Sequence, residues 1–409
     1  VPDQPALERR LGTVDAVTIG LGSMVGAGIF VVLGPAAAAA GTGLLAGLAV
    51  AAIVAYCNAT SSARLAALYP QSGGTYVYGR ERLGTFWGYL AGWSFVVGKT
   101  ASCAAMALTV GVYAWPEYAH AVAVAAVVAL TAINVVGVQK SAVLTRIIVV
   151  VVLAVLAAVV VVVLGDGDLD SSRLGFGTDV GMGGVLQAAG LLFFAFAGYA
   201  RIATLGEEVR EPARTIPRAI QISLGLALLV YAAVAVTVLA ELGSATLASA
   251  TAPLAEAVSS AGHPGFEPVV RVGAAVAALG SLLALILGVS RTTLAMARDR
   301  FLPPALAVVH PRFNSPYRAE IAVGVVVSVL AAVADVRGAI GFSSFAVLIY
   351  YAIANASAMT LRGKVIPVAG LVGCVVLAFS LPISSVLVGA VVVAVGAAAY
   401  GLRRIRRPV

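Results

Sequence analysis

Gly20-Leu21-Gly22-Ser23-Met24-Val25-Gly26-Ala27-Gly28-Ile29-Phe30 lies in the middle of the first long apolar run. Its four glycines stand where a membrane-spanning helix would otherwise be continuous. A glycine inside a helix costs about 1 kcal/mol relative to alanine. Hydrocarbon raises the cost of a break, because amides freed there find no water. An interruption at membrane depth is therefore tolerated where it lines a cavity or meets a ligand. A second candidate, Phe194-Ala195-Phe196-Ala197-Gly198-Tyr199, follows five apolar runs later. Matched interruptions in two halves of a chain point to a transporter whose substrate sits between them.

The rest of the chain fits that reading. Its 409 residues are 61% hydrophobic and 11% charged, with a mean hydropathy of +1.03. A soluble domain cannot hide so much apolar surface, and the runs are too long and unbroken for a β-barrel. The expected architecture is an all-α integral membrane protein forming one transporter domain over residues 1–409. About twelve spans are predicted, near 12–35, 42–67, 84–113, 119–138, 141–164, 183–205, 218–240, 269–297, 319–336, 339–361, 365–381 and 383–402. Spans 1–5 (12–164) and 6–10 (183–361) read as two repeats, inverted because each has an odd number of spans; 365–402 would be accessory. With the N-terminus placed in the cytoplasm, 22 of the 26 Lys and Arg fall on the inner side, which predicts cytoplasmic termini. The net charge of +8 is then an insertion signal, and nucleic-acid binding is not expected. Cys57, Cys103 and Cys374 fall in apolar runs, and His120, His263 and His310 are scattered, so neither a disulfide framework nor a metal site is expected.

At the first interruption, a helix resuming near Gly26 would present free N–H groups and its positive dipole end. Residues Ser23 to Gly28 could cradle a carboxylate there. Carbonyls around Ile19 to Leu21, joined by those of Phe193 to Phe196, could accept an ammonium. Donors facing acceptors suit a zwitterion. The competing reading is close helix packing, since Gly22 and Gly26 also have small-xxx-small spacing.

Lys99 stands near the middle of the third span, where a charge costs about 2.5–3.5 kcal/mol on insertion scales. It reads either as a cation coupled to transport or as a structural lysine bonded to carbonyls of a broken helix. Asp15, Arg201, Glu207 and Glu208 cluster at the predicted inner ends of spans 1 and 6. They read as an inner gate, with interfacial anchoring as the alternative. Arg64 and Arg146 read as snorkelling anchors, and Tyr69 to Tyr78 as a structural turn whose double Gly lacks phosphate-loop spacing.

Several segments together resemble the amino acid–polyamine–organocation superfamily. They are Leu11-Gly12-Thr13-Val14-Asp15-Ala16 with Gly22 to Phe30, then Phe193 to Tyr199 leading to Glu207-Glu208-Val209 and Ile216-Pro217-Arg218-Ala219-Ile220. Ser290 to Asp299 with Leu302-Pro303, and Arg312-Phe313-Asn314-Ser315-Pro316, follow in order, and the turn at Pro70-Gln71-Ser72-Gly73-Gly74 agrees. The resemblance implies the LeuT-type five-plus-five inverted repeat, with helices 1 and 6 discontinuous, and transport of amino acids or related amines. It also implies substrate contacts at Ser23, Met24, Gly26, Ala27, Gly28, Phe193, Phe194, Ala195 and Phe196.

Two departures remove negative charge: Ala200-Arg201 follows Gly198-Tyr199, where cationic carriers often have an acid, and Gly98 replaces a glutamate in span 3. A neutral substrate is therefore favoured over a cationic one. The lysine that related carriers place in span 5 is missing from Ile147 to Val163. No nucleotide fold is present, so an ion gradient or exchange must drive transport, and proton coupling or exchange is favoured through Lys99. The chain shows no polar cluster suited to a membrane enzyme and no filter or charge ring suited to a channel. No cofactor is expected.

Overall fold

The computed structural model describes residues 11–69, 73–136, 142–175, 177, 180–203, 209–313 and 315–405. The first span is assembled from α1 (Thr13–Met24), α2 (Ala27–Val31) and α3 (Leu33–Ala40), and α4 (Leu44–Leu68) returns across the bundle. Next come α5 (Thr75–Leu83), α6 (Thr85–Ala114), α7 (Ala119–Val135) and α8 (Ala142–Asp166). The second half contains α9 (Met182–Phe196), α10 (Ala200–Ala203), α11 (Pro212–Ser249), α12 (Pro253–Ser260), α13 (Glu267–Arg298), α14 (Tyr317–Val333) and α15 (Val336–Ala358). Two further helices, α16 (Val365–Ser380) and α17 (Ile383–Ile405), end the chain.

Among the described residues there are ten helical segments long and apolar enough to cross a bilayer. The shorter α14 and α16 occupy the places of the expected ninth and eleventh spans. Large apolar side chains such as Val333 and Val365 lie on the outside, as expected where the solvent is lipid. The long helices differ in depth: 83% of the best apolar window of α15 is buried but only 22% of that of α17, which puts α15 at the centre and α17 on the rim. The helix α6 packs against both α13 and α15, so it also runs through the middle.

Local chemistry sets several ends. The Asp335 carboxylate accepts the Gly338 N–H at 2.8 Å and starts α15. Pro212 occupies the first turn of α11, where its missing N–H costs nothing. Gly243 bends the far end of α11 with φ 69° and ψ 164°.

The sequence reading missed two helices. The segment expected to be only a turn does turn at Gly73 and Gly74, both with positive φ, but then forms α5. The loop expected after span 7 contains α12, whose Leu254, Ala255 and Val258 are fully buried. Both are too short to give a membrane-span signal, and both owe their stability to packing.

Candidate functional site at the interrupted helices

The first span loses helical geometry at Val25 (φ −78°, ψ 51°) and Gly26 (φ −97°, ψ −147°). The interruption comes later than expected. Ile19 to Leu21 remain inside α1, where Leu21 O accepts Val25 N–H at 2.6 Å and Ile19 O accepts the Ser23 hydroxyl at 2.8 Å. Those carbonyls were expected to be free for an ammonium; an intact helix keeps them occupied instead. On the other side, α9 tightens at Phe196 into a 3₁₀ turn, Ala197–Tyr199, before the short α10.

The two interruptions touch. A Cβ built on Gly198 would lie 2.1 Å from the Ser23 carbonyl oxygen, so only glycine permits this approach. Beside it, the Tyr231 hydroxyl on α11 lies 2.6 Å from Met24 O and 3.0 Å from Ala195 O, its single proton shared between a carbonyl of span 1 and one of span 6. Farther along, Arg210 N–H donates to Leu11 O at 2.9 Å. Spans 1 and 6 thus meet at the interruptions, and the segment before α11 is tied to the start of span 1.

A cavity of about 190 Å³ opens at this junction, with walls from spans 1, 3, 6, 8 and 10. Ser23, Phe194, Ala197 and Gly198 form its wall at the interruptions, and Ser281 and Leu285 face them from α13. It extends toward the end of the bundle that carries Tyr76, Arg201 and Arg291. The opposite side is closed: Phe30 is fully buried, meets Tyr113 edge-to-face at 5.9 Å, and gives its carbonyl to the Tyr113 hydroxyl at 2.7 Å.

Lys99 lines this cavity and is only 6% exposed. Its Nζ donates to Ala197 O at 3.2 Å, and the Tyr351 hydroxyl donates to the same oxygen at 3.2 Å. The lysine on span 3 therefore holds a carbonyl at the turn of span 6. Ala197 was not singled out by itself in the sequence; its role comes from the packing that brings Lys99 and Tyr351 to its carbonyl.

The predicted contacts separate into two groups. Ser23 and Phe194 stand on the cavity wall. Met24, Gly26, Ala27, Gly28, Phe193, Ala195 and Phe196 are buried in the contacts between helices. Gly26 presses on Ser281 and Gly28 on Ala195, and Gly22 meets Val149 of α8. These are close helix contacts, the competing reading of the glycine run. Ser281, missed in the sequence, is a new candidate: its hydroxyl is buried, has no hydrogen-bond partner among the described residues, and borders both Gly26 and the cavity.

Of the residues expected to form an inner gate, Asp15 has its partners at the start of α1 and on α8. Asp15 accepts the Gly12 N–H at 3.0 Å, capping α1, and forms its ion pair with Arg146 of α8. Arg146 is therefore a partner as well as a surface residue, because α8 runs beside α1. Arg201 lies on the cavity wall, and Glu207 and Glu208 lie outside the described residues. Arg64 donates to the carbonyls of Arg362 and Gly363, tying α4 to the turn after α15. At the cavity mouth, Asp299 holds the Tyr76 hydroxyl and, at 3.3 Å, the Arg80 guanidinium. Burial first, then the Asp299 carboxylate, push the Tyr76 phenol above its usual pKa. The three cysteines are buried and free.

Residues 11–401 match the family described as Amino acid permease. An uncharacterized transporter of Mycobacterium tuberculosis (strain ATCC 25618 / H37Rv) is 71% identical over 99% of this chain and 93% of its own length. A branched-chain amino acid permease of Bacillus subtilis (strain 168) is 26% identical over 77% of this chain and 72% of its own. A chloroplastic cationic amino acid transporter of Arabidopsis thaliana is 26% identical over 86% of this chain and 65% of its own.

Proposed function

The chain belongs to the amino acid permease family, and from that premise we propose that it is a secondary carrier of small amino acids working by alternating access. The observation that carries this reading is the cavity at the meeting of the two interrupted spans, open toward one end of the bundle and closed toward the other. By the distribution of Lys and Arg the open end is cytoplasmic, which makes this an inward-facing arrangement with both termini inside.

Spans 1 and 6 move together against α6 and α13. Closing the inner end would bring α5 and α13 nearer to Arg201, while opening the outer end would part Phe30 from Tyr113. The substrate head group binds beside Ser23, Ser281 and the turn at Ala197, with the peptide groups of residues 24–28 supplying polarity once the spans shift. The relatives' names point two ways, one to branched-chain and one to cationic amino acids. The absence of a carboxylate among the described wall residues supports the neutral substrate favoured by the sequence over a cationic one.

Coupling is to protons or to exchange. Lys99 is the coupling group, because letting go of Ala197 O frees its ammonium and loosens span 6 in one step. The test is uptake of a mixture of labelled amino acids into proteoliposomes under a proton gradient, a sodium gradient, or counterflow. Saturable uptake stimulated by substrate on the far side is expected. Passive conductance, or no accumulation under any condition, refutes the carrier. A rate that follows sodium and ignores pH refutes the coupling, as does a Lys99→Met variant with unchanged pH dependence.

A further inference from the structure

The polar groups of the cavity wall gather at the interruptions and at the mouth. Ser23, Lys99 and Ser281 stand at the interruptions; Lys99 belongs there because its Nζ reaches the turn of span 6 at Ala197 O. Arg291 lies ten residues beyond Ser281 on α13, about 15 Å nearer the open end. Tyr76, Arg201 and Tyr350 mark the same end. Asp299 holds the Tyr76 hydroxyl, and the Tyr350 hydroxyl accepts the Thr75 N–H of α5 at 3.1 Å.

The wall between these groups is apolar. On α13, Ala284, Leu285 and Val289 fill the interval from Ser281 to Arg291. On α6, Phe95 and Met106 stand one turn before and two turns after Lys99, on the same face. Phe194 joins them from span 6. Two other polar side chains of the described wall are engaged. The Ser102 hydroxyl lies 2.6 Å from that of Ser343, and Thr292 donates to Gly288 O at 3.2 Å.

A head group beside Ser23 and Ser281 leaves the substrate side chain lying along Phe95, Met106, Phe194 and Leu285. An amide placed there gives up water for groups that already have partners, and that loss is costly. An aliphatic chain of the same shape gains by leaving water. Resting on the carrier reading above, which it narrows, we propose that the cavity selects amino acids with aliphatic side chains over polar ones of equal size.

The test uses two near-isosteric pairs, L-leucine with L-asparagine and L-methionine with L-glutamine. Each is measured by thermal stabilisation of the purified full chain and by competition against labelled L-leucine in counterflow. The apolar member of each pair should act at a concentration about tenfold below its polar twin. Leu285→Asn and Met106→Gln put an amide on the wall and should each narrow the leucine-over-asparagine ratio by about threefold or more. If either variant does not fold, the other and the ranking on the unaltered chain decide. A polar twin that matches or outcompetes its apolar partner overturns the proposal and leaves the carrier standing. A ratio unchanged in the variants that fold also overturns it, since the side chain then lies elsewhere. If no amino acid binds or exchanges, the carrier reading and this proposal fall together.

Discussion

Replacing Gly198 by alanine tests whether the two interruptions must touch. The added Cβ would lie 2.1 Å from the Ser23 carbonyl oxygen, 2.3 Å from its carbon and 2.6 Å from the Met24 nitrogen. Real Cβ contacts essentially never fall below 3.0 Å, so spans 1 and 6 must part by roughly 0.9 Å. All three atoms are backbone, and no rotamer relieves the clash. Overpacking of this kind costs about 1–3 kcal/mol. It would also stretch the hydrogen bonds by which Tyr231 bridges Met24 and Ala195. A thermal melt in detergent and a counterflow rate should both fall for Gly198→Ala. Gly26→Ala meets the Ser281 hydroxyl, a side chain able to rotate away, and should cost less. Gly225→Ala, with nothing within 4 Å, controls for the substitution itself and should match the wild type or exceed it slightly. Gly198→Ala that melts and transports like Gly225→Ala refutes the contact between the interruptions.

Further outcomes follow from the same geometry. Ser281→Ala should barely change the melting temperature, since the hydroxyl has no partner to lose, but should raise the apparent KM for the transported amino acid; an unchanged KM removes Ser281 from the site. A double-mutant cycle on Asp15→Asn and Arg146→Gln should return a coupling of about 0.2–1 kcal/mol, in keeping with the half-exposed arginine, and additive effects would mean the pair contributes nothing. Asn58→Ala takes an acceptor from the Asn355 amide (2.6 Å) and the Cys374 thiol (3.2 Å), linking spans 2, 10 and 11. It should lower stability by about 1–3 kcal/mol in the detergent melt, whereas no loss would show that the node is dispensable.

The all-helical fold was legible because membrane insertion writes itself into long apolar runs. The family was legible because its motifs are dispersed in order along most of the chain. The glycine run announced an interruption, yet not its register: whether α1 ends at Leu21 or Met24 depends on the Ser23 hydroxyl and on Gly198 pressing from another span. Lys99 stood out as a charge among apolar residues, whereas its acceptor did not, since nothing in Ala197 itself marks a carbonyl that packing brings to donors from two other spans. Asp15 and Arg201 were grouped in one inner gate by their placement along two spans. The neighbour that takes Asp15 comes from α8, a third element whose facing is set by packing, which spacing along the chain does not reveal. Ser281 was hidden for the same reason: one serine on a long helix is ordinary until its neighbours are known.

If spans 1 and 6 travel together as proposed, the oxygen of Ala197 is where they are moored. Tyr231 of α11 reaches both spans 1 and 6, so in the proposed cycle this link need not be cast off. Lys99 and Tyr351 reach the same oxygen from spans 3 and 10, and any swing of span 6 past them strips away two donors at once. A bound solute that offers either donor a better berth would lower the toll of departure, and a bare site would stay tied up. On that proposed cycle, leakage without cargo is discouraged by a single peptide group.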